Sequence, residues 1–98
     1  MHKVKYVDDV AFDIKIAKDW YKKQQLGLEE RFALCIEEAI HKIIKMPTAY
    51  SIRYKNIRIA HPKTFPYNIH FYVDETLNLI VITGIIFNKK GNALFINR

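Results

Sequence analysis

Two hydrophobic periods divide this chain at Pro47. Before it, apolar residues recur roughly every 3.6 positions; after it, they alternate. Val10, Ile14, Ala17 and Tyr21 fall at helical spacing, with Phe12 and Trp20 alongside and Lys15, Lys18, Asp19, Lys22 and Lys23 on the wet side. Asp8 and Asp9 offer an N-cap to this helix, and Asp13 adds negative charge near its first turn. Gly27 is placed to stop it, because glycine tolerates positive φ. A second stripe follows at once: Leu28, Phe32, Ile36, Ala39, Ile40, Ile43 and Ile44, with Cys35 on its border and Pro47 as its end. Two helices so closely joined form an antiparallel hairpin.

The strands read differently. His2–Val7 alternates weakly and predicts a short strand. Ile57–His61 predicts another, followed by a turn bearing Pro62 and Pro66. Tyr67, Ile69, Phe71 and Val73 face one way, and Asn68, His70 and Tyr72 the other. Asp74, Glu75, Thr76 and Asn78 form a hairpin turn into a long apolar strand, Leu79–Phe87. Helices grouped before consecutive strands predict an α+β fold, an N-terminal helical hairpin packed on one face of a small antiparallel β-sheet. The other sheet face is expected to stay open.

Length and composition narrow the class. The 98 residues, half of them hydrophobic, suit a single domain over residues 1–98 and exclude a disordered or low-complexity chain. The single cysteine, Cys35, excludes an intramolecular disulfide and a cysteine-built zinc site. The start lacks the apolar run of a signal peptide, and Leu79–Phe87 is far too short to span a membrane, so a cytoplasmic protein is expected. The net charge of +6 is unevenly spread. Residues 48–98 carry seven basic groups against two acidic ones, a surplus of +5 in the half predicted to be sheet. That half is suited to meeting an anion, whether nucleic acid or an acidic protein segment.

Several pieces in sequence resemble the RelE/ParE superfamily, the toxins of bacterial type II toxin–antitoxin pairs, also called plasmid stabilisation proteins. They are Ala11, Ile14 and Ala17 leading into Trp20-Tyr21; Leu26-Gly27-Leu28 before Arg31-Phe32; Pro47 with Tyr50; Ile57-Arg58; and Phe65-Pro66-Tyr67-x-Ile69 leading to Tyr72-Val73-Asp74, with a terminal Arg98. They span nearly the whole chain. The resemblance implies two activities. RelE-like members cut messenger RNA on the ribosome, and ParE-like members block DNA gyrase. Either kind arrests growth and is neutralised by a small antitoxin with an acidic or amphipathic C-terminal segment.

The chain departs from the nuclease pattern. The RelE positions that hold arginines are Asn68 and about Lys89 here, and the C-terminal acid–base position is Phe95. Asn68 cannot neutralise a phosphate and Phe95 cannot exchange a proton. The ParE pattern is also incomplete, since no tryptophan stands near the end. The reading nearer the ParE branch is therefore a binding toxin without cofactor or metal. Its candidate target- or antitoxin-binding residues are Arg53, Lys55, Arg58, Lys63, Tyr67, Asn68, Tyr72 and Lys90. Arg58 is read on the polar side of its strand, and Tyr50 and Tyr54 are interleaved with the basic set. The alternative is a metal-independent endoribonuclease using His61, His70, Lys89 and Arg98: two groups to move protons and two cations for the phosphorane. A third reading is a degenerate member that binds its antitoxin without being toxic. The carboxylates Glu29, Glu30, Glu37 and Glu38 repeat at helical spacing as a solvated face, and Cys35 reads as inert packing.

Overall fold

Helices α1 (Asp8–Gln24) and α2 (Leu28–Lys45) form the hairpin that the helical period predicts, in a computed structural model that describes residues 2–88. Gly27 makes the joint possible. Its φ of +85° lies in the left-handed region, where a side chain would be strained. The start of α1 differs from expectation. Neither Asp8 nor Asp9 caps it; Val7 occupies the N-cap position without a side-chain bond, and both aspartates lie inside the first turn. There they act on the helix dipole rather than on an unpaired amide. Pro47 ends α2 and opens a single 3-10 turn, Pro47–Ala49.

The described residues form five strands: β1 (Lys3–Tyr6), β2 (Ile52–Tyr54), β3 (Ile57–Ala60), β4 (Tyr67–Asp74) and β5 (Leu79–Phe87), ordered β1-β5-β4-β3-β2. The chain is α+β, with the helices on one sheet face, but the sheet is mixed rather than purely antiparallel. β1 pairs parallel to β5, Lys3 opposite Leu79 through Tyr6 opposite Ile82. β5 is apolar on both faces and takes an interior place with a partner on each side. The residues between β1 and β5 supply the long crossover that a parallel pair needs. β2 is an addition to the predicted strands; its three residues are all exposed, so no burial pattern marks them.

Phe32, Phe71, Ile43, Ile69, Ile80, Ile82 and Val10 are fully buried between the helices and the sheet. At one end of this core, five aromatic rings interlock. Tyr21 lies 5.2 Å from Phe32 and 5.0 Å from Phe65 between centroids. Phe32 meets Phe65 at 5.3 Å and Tyr67 at 5.1 Å, and Tyr67 meets Phe87 at 5.5 Å. One cluster thus ties α1, α2, the turn before β4, β4 and β5. Phe32 is its hub. Phe32→Ala should lower unfolding stability by about 3–5 kcal/mol, whereas Phe12→Ala, at an exposed position of α1, should change it by about 0.5 kcal/mol or less. Urea denaturation followed by circular dichroism measures both.

Candidate functional site

The outer sheet face is defined by the register. His70 lies opposite Ile59 on β3 and Gly84 on β5, and Tyr72 lies opposite Val81, which in turn faces Lys5 on β1. The pairing of β4 with β5 shifts between His70 and Phe71, which puts the extra residue, Thr83, in a bulge. The Thr83 hydroxyl donates to the His70 carbonyl at 3.2 Å and fixes the backbone there. Gly84 adds no side chain beside His70, and the space a Cβ would take there is met by the Ile86 side chain at 3.3 Å.

His70 is the centre of the site. Its Nδ1 lies 3.1 Å from the Tyr54 hydroxyl on β2. With the proton on Nδ1 the ring donates to the phenol and Nε2 is left as a base; in the other tautomer the phenol donates and Nε2–H becomes a donor. Burial, and then the charge of His61, hold the His70 imidazole below its ordinary value of 6.5. The two histidines, nine residues apart, with His61 just past the end of β3 and His70 on β4, are thus electrostatic neighbours. Beside them the Asn88 side-chain amide donates to the Asn68 side-chain Oδ1 at 3.1 Å, and the Asn88 backbone N–H donates to the Pro66 carbonyl at 2.7 Å. Asn68 therefore ties the end of β5 to the start of β4. Arg53, Lys55 and Lys63 are exposed.

Two of the candidate binding residues lie off this face, Arg58 against expectation and Tyr67 on the side its alternation predicts. Arg58 pairs with Phe71, so its side chain projects to the helix side, and its guanidinium donates to the Tyr50 carbonyl. The alternation of its strand is the reverse of that expected, because Ile57 and Ile59 take the outer side. Arg58 is anchored there instead of being presented to an anion. Tyr67 belongs to the aromatic cluster, and burial and a hydrogen bond with Tyr21 push its phenol well above the usual tyrosine range. Lys89, Lys90, Phe95 and Arg98 lie outside the described residues. Among the described residues, no three His, Cys, Asp or Glu side chains cluster as metal ligands, and no helix is long and apolar enough to cross a membrane.

Among the described residues, two open apolar grooves flank α1 on the helical side. One, of about 430 Å³, runs along the β1 edge and is lined by Val4, Tyr6, Ala11, Ile14, Ile40 and Ile44 among others, with Lys18, Glu37 and His41. The other, of about 580 Å³, lies between α1 and the end of β5, where Ile16, Trp20, Ile86 and Phe87 line it.

No protein-family model matches the chain, and no curated protein does. Solved structures do match. A chain of the chromosomal ParDE TA system from P. aeruginosa superposes with a TM-score of 0.73 at 19% identity, over 91% of this chain and 98% of that one. The isolated E. coli RelE toxin gives 0.63 at 8% identity, over 91% and 86%. The intact E. coli RelBE toxin–antitoxin complex gives 0.62 at 8%, over 91% and 99%. The chain has the RelE/ParE fold, and the ParDE chain superposes better than either RelE structure.

Two measurements test the site. The His70 midpoint in an NMR titration should fall below 6.5, and His61→Ala should raise it part of the way back. Because the folded chain holds His70 below its unfolded value, unfolding takes up a proton in that interval. His70's contribution to stability is therefore complete above pH 6.5 and is lost as pH falls below it. Arg58→Ala should cost about 1–3 kcal/mol in urea denaturation, by leaving the Tyr50 carbonyl without its charged donor.

Proposed function

We propose that this chain is the toxin of a type II toxin–antitoxin pair, nearer the ParE branch, acting by binding a target such as DNA gyrase. The observation that carries this reading is the fold shared with a chain of a ParDE TA system over 91% of the residues. The site agrees with binding. Asn68 stands where the nuclease branch carries an arginine, and its side chain is bonded to Asn88. The exposed cations Arg53, Lys55 and Lys63, with Tyr72, are the proposed target-facing set, and Lys90, which lies outside the described residues, is its remaining candidate.

The groove beside β1 supports neutralisation by a small antitoxin. Its apolar floor suits an amphipathic segment, with Lys18 offering a partner to an acid and Glu37 one to a base. β1 is an edge strand whose free backbone groups accept an added strand, and Lys3 and Lys5 on it discourage indiscriminate pairing. No cofactor enters this mechanism. The chain needs only its fold, its basic face and a partner that covers the groove.

A second reading, a ribosome-dependent endoribonuclease, is favoured by one observation: His61 and His70 are close enough for one charge to act on the other, with Tyr54 bonded to His70. On that reading His70 takes the 2′-hydroxyl proton, His61 protonates the leaving oxygen, and Lys89 and Arg98 supply positive charge.

Induced expression should stop growth, and co-expression of the adjacent small gene should restore it; unimpaired growth would argue for the degenerate, non-toxic member. With growth arrested, inhibition of supercoiling by purified gyrase supports the binding toxin, and ribosome-phased cuts in messenger RNA support the nuclease. His70→Ala should leave a binding toxin's potency within about threefold, and should reduce a nuclease by about 100-fold or more. Ala11→Arg, at an exposed position in the β1 groove, should leave toxicity intact and weaken antitoxin binding at least about tenfold in titration calorimetry.

A further inference from the structure

We propose that the outer face of α1 is a two-fold interface through which a second copy of this chain binds, antiparallel and centred on Ile16. The proposal rests on the helix itself and is independent of the toxin reading. Val10, Ala17 and Tyr21 already pack α1 against the core. Phe12, Ile16 and Trp20 do not. They recur at intervals of four on another side of the helix and are 62%, 52% and 57% exposed. Exposed side chains of this size amount to an apolar patch on the order of 300 Å², which marks an interaction surface. The patch runs into the groove lined by Ile86 and Phe87, themselves half exposed.

Charge identifies the occupant. Asp9 lies seven residues before Ile16 and Lys23 seven residues after it, each about two turns away on the same side of the helix. Phe12 and Trp20 lie four residues to either side. Read outward from Ile16, the face is symmetric in size and opposite in charge. An antiparallel second copy therefore sets Ile16 on Ile16, Phe12 on Trp20 and Asp9 on Lys23, the last two contacts each occurring twice. A parallel pair would oppose Asp9 to Asp9 and Lys23 to Lys23. Asp13 and Asp19 stand on opposite sides of the stripe, about 120° apart around the helix, so the two-fold does not bring them together. A patch of this area supports a reversible dimer in the micromolar range and not an obligate one.

Sedimentation equilibrium on the full chain, over a series from micromolar to millimolar, tests this. The mass should rise from monomer to dimer. Ile16→Glu should weaken association at least about tenfold. Asp9→Lys and Lys23→Asp should each weaken it about threefold or more, and the double swap Asp9→Lys/Lys23→Asp should restore it to within about twofold of the original. A chain that stays monomeric throughout overturns the proposal, including the case in which the stripe is covered only by a different protein. Dimers indifferent to Ile16→Glu, or a double swap that fails to restore association, overturn it as well. Circular dichroism of each variant confirms that the helix is intact, and every substitution lies at an exposed position.

Discussion

The aromatic cluster around Phe32 is the constraint on which the rest of the molecule depends. Tilted and edge-on contacts of this kind add about 0.5–1.5 kcal/mol each beyond the area they bury, and here they link elements far apart in sequence. Tyr21 sets the rotation of α1 about its own axis. That rotation turns Val10 and Ala17 inward and leaves Phe12, Ile16 and Trp20 outside. Tyr67 and Phe87 bring β4 and β5 together at the same end, where the Pro66 carbonyl accepts from Asn88. With Tyr67, Ile69 and Phe71 committed to the helix side, strand alternation presents Asn68, His70 and Tyr72 on the other. The outer site exists because the inner one is filled.

The Phe65-Pro66-Tyr67 run, one of the segments that resembles the RelE/ParE superfamily, has a structural task in this light. Pro66 carries no donor, so the strand begins after it. Phe65 and Tyr67, on the same parity, both reach the cluster. The short motif marks where the sheet is nailed to the helices.

What the residue pattern made legible follows the same physics. α2 and β5 were readable to within a residue, because burial imposes a helical period on α2 and makes β5 an almost continuous apolar run. The parallel pairing of β1 was not, since it depends on a partner seventy-odd residues away and β1 itself is mostly exposed. β2 lies at the opposite edge with every side chain exposed, so no burial pattern marks it. Arg58 was misplaced for a related reason: near an edge, Ile57 and Ile59 can face outward, and a guanidinium can reach a carbonyl on the helix side. The neighbourhood of His61 and His70 required the β3–β4 register, which hydrophobic spacing alone does not fix.

The two grooves divide the labour of the helical layer. Inside the hairpin, α1 lies between them: Ala11, Ile14 and Lys18 line the groove beside β1, and Ile16, Ala17 and Trp20 line the one beside β5. The residues it gives to one are not those it gives to the other. A segment bound along β1 therefore need not displace a second copy held on the outer face of α1, and neither covers the histidine side of the sheet. Charge separates the surfaces further. The basic surplus lies in the sheet half, whereas α1 carries acid at one end and base at the other, an arrangement that attracts its own reverse more than it attracts an anion. A fold with one layer of helices on one sheet thereby leaves three surfaces of different chemistry on a chain of 98 residues.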